Sequence, residues 1–550
     1  MSRRATDRTA CRALIVNPRF NGDSFWAYKA ACELVGARYP APSLGLLTIA
    51  AMLPADWEVR LHDCNVADDD ALEAGLDWAD LLLVGGMLTQ QRAHLDIIEM
   101  ARARDIPVVV GGPDVSSSPH LYARANFLVI GEAEGCMADF LAAWEGGARE
   151  GRFEAPMGSV DVTQSPTPRF DLLDFSQYAE VTVQFSRGCP FRCEFCDIIE
   201  LYGRKPRTKT TEQMLAELQR LYDLGYRGTI EFSDDNLIGN KKAVKAFLPA
   251  LVAWQKAHGF PFDFATEASL NLSEDLELLG LLRDAKFFAV FMGIESPDPE
   301  VLAMMQKKQN LRRDIAETVR IVQSHGIFVL AGFIVGFDNE VDGAAEVMVD
   351  LIEDAAISIC MVGLLYALPN TQLTRRLQRE GRLHAENGMA ADSRDQDHST
   401  AGLNFETLRP RNNVLRDYRA VVEHIHRPEV YFRRVRRTID QLDCSGANGT
   451  LLGAGFGHNL KRLALFLWNV TTRHPAMRGE VWRTLAYALL RNPRAFKASI
   501  HLTSIYAHTG PFTRSVIAEI DRQVAAQAYT PALVQPDPVA EVALPDVAVA

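Results

Sequence analysis

The sequence predicts an α/β protein in three parts: a parallel-sheet domain, a partial (β/α)6 barrel and a mainly helical C-terminal domain. Three observations predict this. Short β-branched runs alternate with helical patterns in two blocks, at about residues 10–148 and 177–385. A stretch at about 149–176, rich in Gly, Pro, Ser and Thr (Ser165, Pro166, Thr167, Pro168) and without apolar period, reads as a linker between them. From about 400 to 522 the patterns are helical only, and 523–550, rich in Ala, Val, Pro and Asp, reads as a disordered tail. The 550 residues accommodate about three to four domains. A hydrophobic content of 48% and a charged content of 23% are those of an ordinary folded chain.

In the first block the runs begin at Leu14, Trp57, Asp80, Ile106 and Phe127, with helical patterns around 43–53 and 90–104. Continuous apolar runs separated by helices indicate a parallel sheet buried on both faces. Such sheets bind ligands at the carboxyl ends of their strands. Those ends carry Asp63, Gly85 and Gly86, Gly111 and Gly112, and Gly131 with Glu132. Glycine at such a place admits close approach of a ligand to the backbone. The acidic run Asp68, Asp69, Asp70 reads as a solvated helix start.

In the second block six strand signals, the first at Val181 and the last at Ile357, make a partial barrel. Barrel chemistry gathers at the C-terminal ends of strands, and every polar cluster here stands at such an end: the cysteine run, Ser233-Asp234-Asp235, Glu267, Glu295-Ser296 and Asp338. Cys189, Cys193 and Cys196 have the spacing C-x3-C-x2-C, three thiolates on one tight loop. A [4Fe–4S] cluster is normally held by four cysteines, so three leave one iron with an open position. The competing reading is a zinc knuckle with a distant fourth ligand, for which the paired C-x2-C or His pair is missing. The other six of the nine cysteines are scattered and read as small core residues of a protein in a reducing compartment.

The cysteine spacing, with Phe195 before the last thiol, resembles the signature of the radical S-adenosylmethionine (SAM) superfamily. The resemblance implies that Cys189, Cys193 and Cys196 hold a [4Fe–4S] cluster whose open iron is chelated by SAM. By position it also implies SAM contacts from Phe195, Ser233, Asp234, Asp235, Glu295, Ser296, Gly332 and Gly336. Placed directly before that motif, the first block resembles a flavodoxin-like (Rossmann-type) cobalamin-binding domain. Asp63, Asn65, Gly86, Gly111, Gly112, Gly131 and Glu132 are then the implied cobalamin contacts. Many such domains carry a cobalt-ligating His in Asp-x-His-x-x-Gly; here Asn65 stands in its place. Either cobalamin binds without a protein imidazole, the reading adopted, or the cofactor has been lost.

The runs Cys193–Ile198, Leu201–Lys209 and Phe232–Asn240 resemble the subgroup containing the methyltransferases of hopanoid ring A. What this implies is a cobalamin-dependent radical SAM methyltransferase. A 5′-deoxyadenosyl radical abstracts hydrogen from an unactivated carbon, the substrate radical takes a methyl group from methylcobalamin, and a flavodoxin or ferredoxin supplies electrons. Two alternatives remain: ring closure or oxidation of another natural product, and a non-enzymatic cobalamin or redox sensor.

Net charge is −12, yet 458–497 holds eight Lys/Arg against one acid, Glu480. Basic amphipathic helices with Trp suit an anionic membrane surface, although a buried apolar face with solvated arginines gives the same pattern. An acidic whole without a nucleic-acid motif argues against nucleic-acid binding. His424 and His426 lie on different helix faces and read as structural. With no apolar run of about 18 residues and no signal-peptide core, the expectation is a cytoplasmic protein, in peripheral contact with the inner membrane through the basic helices.

Overall fold

The structure, a computed structural model, describes residues 10–22, 24–385, 399–445 and 456–526. The first sheet consists of β1 (Arg12–Asn17), β2 (Glu58–Asp63), β3 (Leu81–Gly85), β4 (Val108–Gly111), β5 (Phe127–Ile130) and β6 (Gly151–Glu154). All are parallel, in the order β2-β1-β3-β4-β5-β6. Alternate side chains serve opposite faces. Leu14, Val16, Leu82, Val84, Val108 and Val110 pack with the helices Asp69–Trp78 and Gln91–Arg102. Ala13, Ile15, Leu81, Leu83 and Val109 pack with Leu44–Met52 and Met137–Glu145. The strand order reverses at β1, the place where ligands bind in such sheets.

The stretch expected as a linker contributes β6, which pairs with β5 from Phe127↔Gly151 to Ile130↔Glu154. Four residues alternating half-buried and exposed are too few for a periodic signal, and Phe153 packs on Phe127 and Phe140 only after the sheet exists. At the other end, the last helix continues through Ala525, and the tail beyond 526 lies outside the described residues. Asp68 caps the helix that follows it, accepting from the Ala71 amide, as its acidic run suggested.

The second unit continues with β7 (Glu180–Val183), β8 (Ser186–Arg187), β9 (Arg207–Thr208), β10 (Gly228–Phe232), β11 (Phe262–Glu267), β12 (Phe287–Glu295), β13 (Phe328–Val335) and β14 (Ile359–Leu364). β7 and β10–β14 form one parallel sheet in chain order, a partial (β/α)6 barrel. The short β8 and β9 pair antiparallel and pinch together the base of the cysteine loop. Phe262 and Phe264 face the helix-covered outer core, which leaves Asp263, Ala265 and Glu267 on the barrel's inner face.

The C-terminal unit is helical: Arg411–Ile425, Pro428–Gln441, Phe456–Arg473, Pro475–Arg491 and Phe496–Ala525. Its core includes Phe432, Val435, Val470, Val481 and Leu502, and it merges with Ala289, Phe328 and Ile359 of the barrel and with Phe25 and Leu34 of the first domain. The three units thus share one apolar junction. His426 is buried with Nδ1 at 3.1 Å from the Val422 carbonyl, a structural histidine.

Candidate active site

The cysteine loop is held at both ends. Gly188 has φ +93°, and a Cβ there would stand 2.9 Å from the carbonyl oxygens of Gly203 and Lys205, so only glycine fits. Asn236 Nδ2 lies 4.0 Å from Cys189 Sγ, and Gln309 Nε2 lies 3.6 Å from Cys193 Sγ. The buried Lys307 ammonium feels the charges of Glu295, Cys193 and Cys196. Amide and ammonium donors around sulfur favour its negatively charged form. Burial pushes the Cys189 and Cys196 thiols up, so thiolates here need positive charge at the sulfur, which iron supplies. The donor set therefore fits a cluster.

The Ser233-Asp234-Asp235 run shapes this loop. Asp234 accepts from the Phe185 amide (3.0 Å) and from the amide and hydroxyl of Ser186 (both 2.5 Å), which engages both carboxylate oxygens. Asp235 accepts from the Gly188 amide at 2.7 Å. The Ser233 amide and hydroxyl donate to the Val183 carbonyl. The sequence placed these residues at SAM; the structure makes Asp234 a buried brace, with one Asp235 oxygen still free of the loop. Strand ends of β7 and β10 lie side by side, so loop amides are the nearest donors for these carboxylates.

Above the barrel, Glu295 has φ +67° and its Oε1 accepts from Lys307 Nζ at 2.5 Å. Gly293 makes room for this pair: a Cβ there would fall 2.3 Å from Glu295 Oε1. Phe195 lies under the Lys307 ammonium and against Phe337. The Ser296 hydroxyl accepts from the Asp298 amide and closes a turn. Gly332 lies beneath Phe291, and Gly336, at φ +111°, meets Leu403 from the segment after the barrel. Gly336 is thus required by packing and backbone conformation rather than by an open ligand surface.

Inside the barrel stands a wall of carboxylates, in which Glu231 and Glu180, missed in the sequence, join Glu267, Asp234 and Asp235, which it placed at strand ends. Burial pushes Glu267 up to about 8, with Glu231 and Asp235 adding repulsion. Glu231 is raised by burial, and Glu180 is raised well above its usual range by burial and by Glu231, with Arg462 opposing. Asp234 and Asp235 are pushed up to about 7 and 6 by burial. No cation among the described residues offsets burial at Glu267 or Glu231. Such a wall suits a cationic ligand, and SAM carries a sulfonium and an ammonium. Across from it Phe288, Leu330 and Met361 are half-buried and apolar, and Trp26 reaches in to 5.7 Å from Phe291. An acid inside an apolar strand run (Ile230-Glu231-Phe232) was the signal available in sequence.

At the first domain, Asn65 is fully engaged. Its Oδ1 accepts from the Phe20 amide at 2.7 Å, and its Nδ2 donates to the Pro18 carbonyl and Asp63. Asp63 also accepts from Tyr178 Oη at 2.9 Å. No imidazole stands at this position, so cobalamin here fits only without a protein base from it. Gly112, at φ +97°, lets its backbone approach Gly86, whose O and N lie 3.2 and 3.3 Å from the Cβ position. Gly111 lies against the Val129 carbonyl, and Gly131 against the Ala155 carbonyl. Glu132 was expected at cobalamin; it instead joins two domains. It accepts from Arg187 at 3.1 Å and Arg207 at 2.8 Å, the residues of the β8–β9 pinch, while Glu134 takes Arg187 at 2.7 Å. Two arginines that are nearly buried need this charge, and β5 ends where they emerge. The strand ends of both sheets thereby face one another.

Three family models match: B12 binding domain at residues 34–141, Radical SAM superfamily at 183–352, and a domain of unknown function, DUF4070, at 371–522. An uncharacterized methyltransferase of Synechocystis sp. is 39% identical over 93% of this chain and 94% of that protein. The hopanoid C-2 methylase of Rhodopseudomonas palustris is 35% identical over 91% and 93%. The solved structure of the cobalamin-dependent SAM radical enzyme OxsB, with aqua-cobalamin and SAM bound, superposes with a TM-score of 0.59 at 14% identity, covering 94% of this chain and 81% of that one. It shares the fold. With both cofactor domains matched in order and identity extending over nine-tenths of two relatives, the chain belongs to the cobalamin-binding radical SAM methyltransferases, which use SAM, a [4Fe–4S] cluster and cobalamin.

Proposed function

We propose that the chain methylates an unactivated carbon of a polycyclic lipid of the hopanoid type. The observation that carries this reading is the 35% identity to the hopanoid C-2 methylase across nearly the whole of both chains. The apolar inner wall of Phe288, Leu330 and Met361, with Trp26 and Phe291, supports it, since a hydrocarbon ring system needs such a surface. The bound cofactors supply hydrogen abstraction and the methyl group.

The chain's own residues position and exclude. Cys189, Cys193 and Cys196 hold the cluster, and Asn236 and Gln309 direct N–H groups at two of the sulfurs. Glu267 and Glu231, whose ionisation burial opposes, would gain a counterion from the SAM cation and ionise on its binding. Lys307 keeps Glu295 in a left-handed conformation beside Gly293. Gly86, Gly111, Gly112 and Gly131, with Asp63 and Asn65, shape the strand ends that receive cobalamin. A flavodoxin or ferredoxin delivers the electrons.

The test is lipid mass spectrometry of a deletion strain beside its parent, followed by reaction of the purified protein with the unmethylated lipid. Loss of a methylated hopanoid, and its restoration as a mass gain of one methylene unit, is the expected result. An unchanged hopanoid profile overturns the substrate; a product without the added methylene points to ring closure or oxidation.

A further inference from the structure

The helices Phe456–Arg473 and Pro475–Arg491 pack side by side, each with an inner face in the shared core. Phe466 and Val470 are buried from the first, and Met477, Val481, Leu485 and Ala488 from the second. Their outer faces are not polar. On the first helix Leu460, Ala464 and Trp468 follow at four-residue steps, and Trp468 is 65% exposed. On the second, Trp482, Ala486, Leu489 and Leu490 form the matching stripe, with Trp482 46% and Leu490 84% exposed. The two stripes form one surface, because Trp482 Nε1 donates to Thr471 Oγ1 of the first helix at 3.3 Å. Contiguous exposed apolar side chains of this size mark an interaction site.

The rim of this surface is basic. Lys461, Arg473, Arg478, Arg483, Arg491, Arg494 and Lys497 are all exposed on these helices and just beyond them, Lys497 being paired with Asp263 and Arg491 lying 3.9 Å from Asp440. Glu480, the lone acid of the stretch, is already held by Arg436 at 2.9 Å and by Arg483. The whole chain carries −12, so this face is opposite in sign to the rest. Tryptophan and leucine flanked by arginine and lysine are what an anionic bilayer surface takes up: rings settle at headgroup depth, and cations meet lipid phosphates. Among the described residues no helix is long and apolar enough to cross a membrane, so contact through this face is peripheral.

We propose that this two-helix face docks the enzyme on an anionic lipid bilayer, with Leu460, Trp468, Trp482, Leu489 and Leu490 entering the interface. The inference rests on the lipid-substrate reading for its purpose, not for its geometry. On the inner side of the same helix, Arg462 donates to the carbonyls of Tyr178 and Ala179 at 3.2 and 3.0 Å, where β7 begins. The docking face therefore stands at the N-terminal end of the barrel, away from the cysteine loop.

The experiment is flotation of the full chain with vesicles of phosphatidylcholine alone or mixed with phosphatidylglycerol, with tryptophan emission recorded in parallel. The expected result is co-flotation with anionic vesicles that weakens as salt rises, with a blue shift of emission. Trp468→Ser with Trp482→Ser and Leu490→Ser lowers partitioning about tenfold or more, and Arg478→Glu with Arg491→Glu does so without touching the apolar stripe. Circular dichroism verifies that the variants fold, and methylation of detergent-dispersed lipid remains as in the parent. No binding to anionic vesicles at low salt, or binding unaffected by either variant, overturns the proposal. A dimer that both variants dissolve also overturns it, since the face then belongs to a second copy. A parent chain that does not float yet methylates hopanoid refutes docking alone; a parent chain that floats but methylates no hopanoid refutes the substrate reading alone.

Discussion

Replacing Glu132 by Gln tests whether this residue serves cobalamin or the junction between domains. Its side chain is 2% exposed, and its partners Arg187 and Arg207 are 14% and 11% exposed. Removing one member of a buried ion pair costs about 3–5 kcal/mol, because the opposite charge stays buried without its counterion. Here Glu134 still holds Arg187 at 2.7 Å, which puts the loss near the lower bound, about 3 kcal/mol. The strain falls on the β8–β9 pinch that closes the cysteine loop. A chain of several domains with cofactors does not unfold as two states, so local opening is the proper readout. In hydrogen exchange, the amides of Ser186, Arg187, Arg207 and Thr208 in Glu132→Gln exchange roughly 100-fold faster than in the parent. Iron content after anaerobic reconstitution falls with them, while cobalamin affinity, titrated on the same protein, stays unchanged. Unaltered exchange together with lost cobalamin binding would refute the reasoning and return Glu132 to the cofactor.

Three further outcomes follow from the site. Cys189→Ala, Cys193→Ala and Cys196→Ala each abolish the cluster's visible absorbance and SAM cleavage; normal cleavage by a folded triple variant contradicts the cluster assignment. Glu267, raised to about 8, is protonated in the folded protein where the unfolded chain has already ionised. Apo-protein stability therefore falls as pH rises from about 4.5 to 8, by at most about 5 kcal/mol, and Glu267→Gln flattens that slope; an equal slope in parent and variant excludes the buried acid. Asn65→Ala leaves the Phe20 amide and the Pro18 carbonyl without their partner and lowers stability by about 1–3 kcal/mol. Electron paramagnetic resonance of the parent's reduced cobalamin shows no splitting from a protein nitrogen, and such splitting would mean that a histidine elsewhere reaches the cobalt.

The strands of both sheets were readable because their runs, such as Leu81–Val84 and Phe287–Met292, are continuous and apolar. β6 was not, since its half-buried alternation over four residues acquires meaning only beside β5. The cysteine loop was readable because its spacing is local. Lys307 and Gln309 were not: they lie more than 110 residues from Cys193 in sequence and reach it only through the helical turn after β12. Glu132 and Asp234 stand at the strand ends where the sequence put them, but their protein partners Arg187, Arg207, Phe185 and Ser186 were not legible, since a carboxylate at a strand end can bond a ligand or an adjacent loop with equal chemistry.

The sequence by itself determined the order of domains, the C-x3-C-x2-C spacing and the missing imidazole at Asn65, because each is written in residues adjacent along the chain. The tertiary structure decided which carboxylates brace the loop, which line the barrel unpaired, and that Trp468 and Trp482 share one exposed face. Burial and charge neighbourhood are properties of space, and they come into being only when distant segments meet.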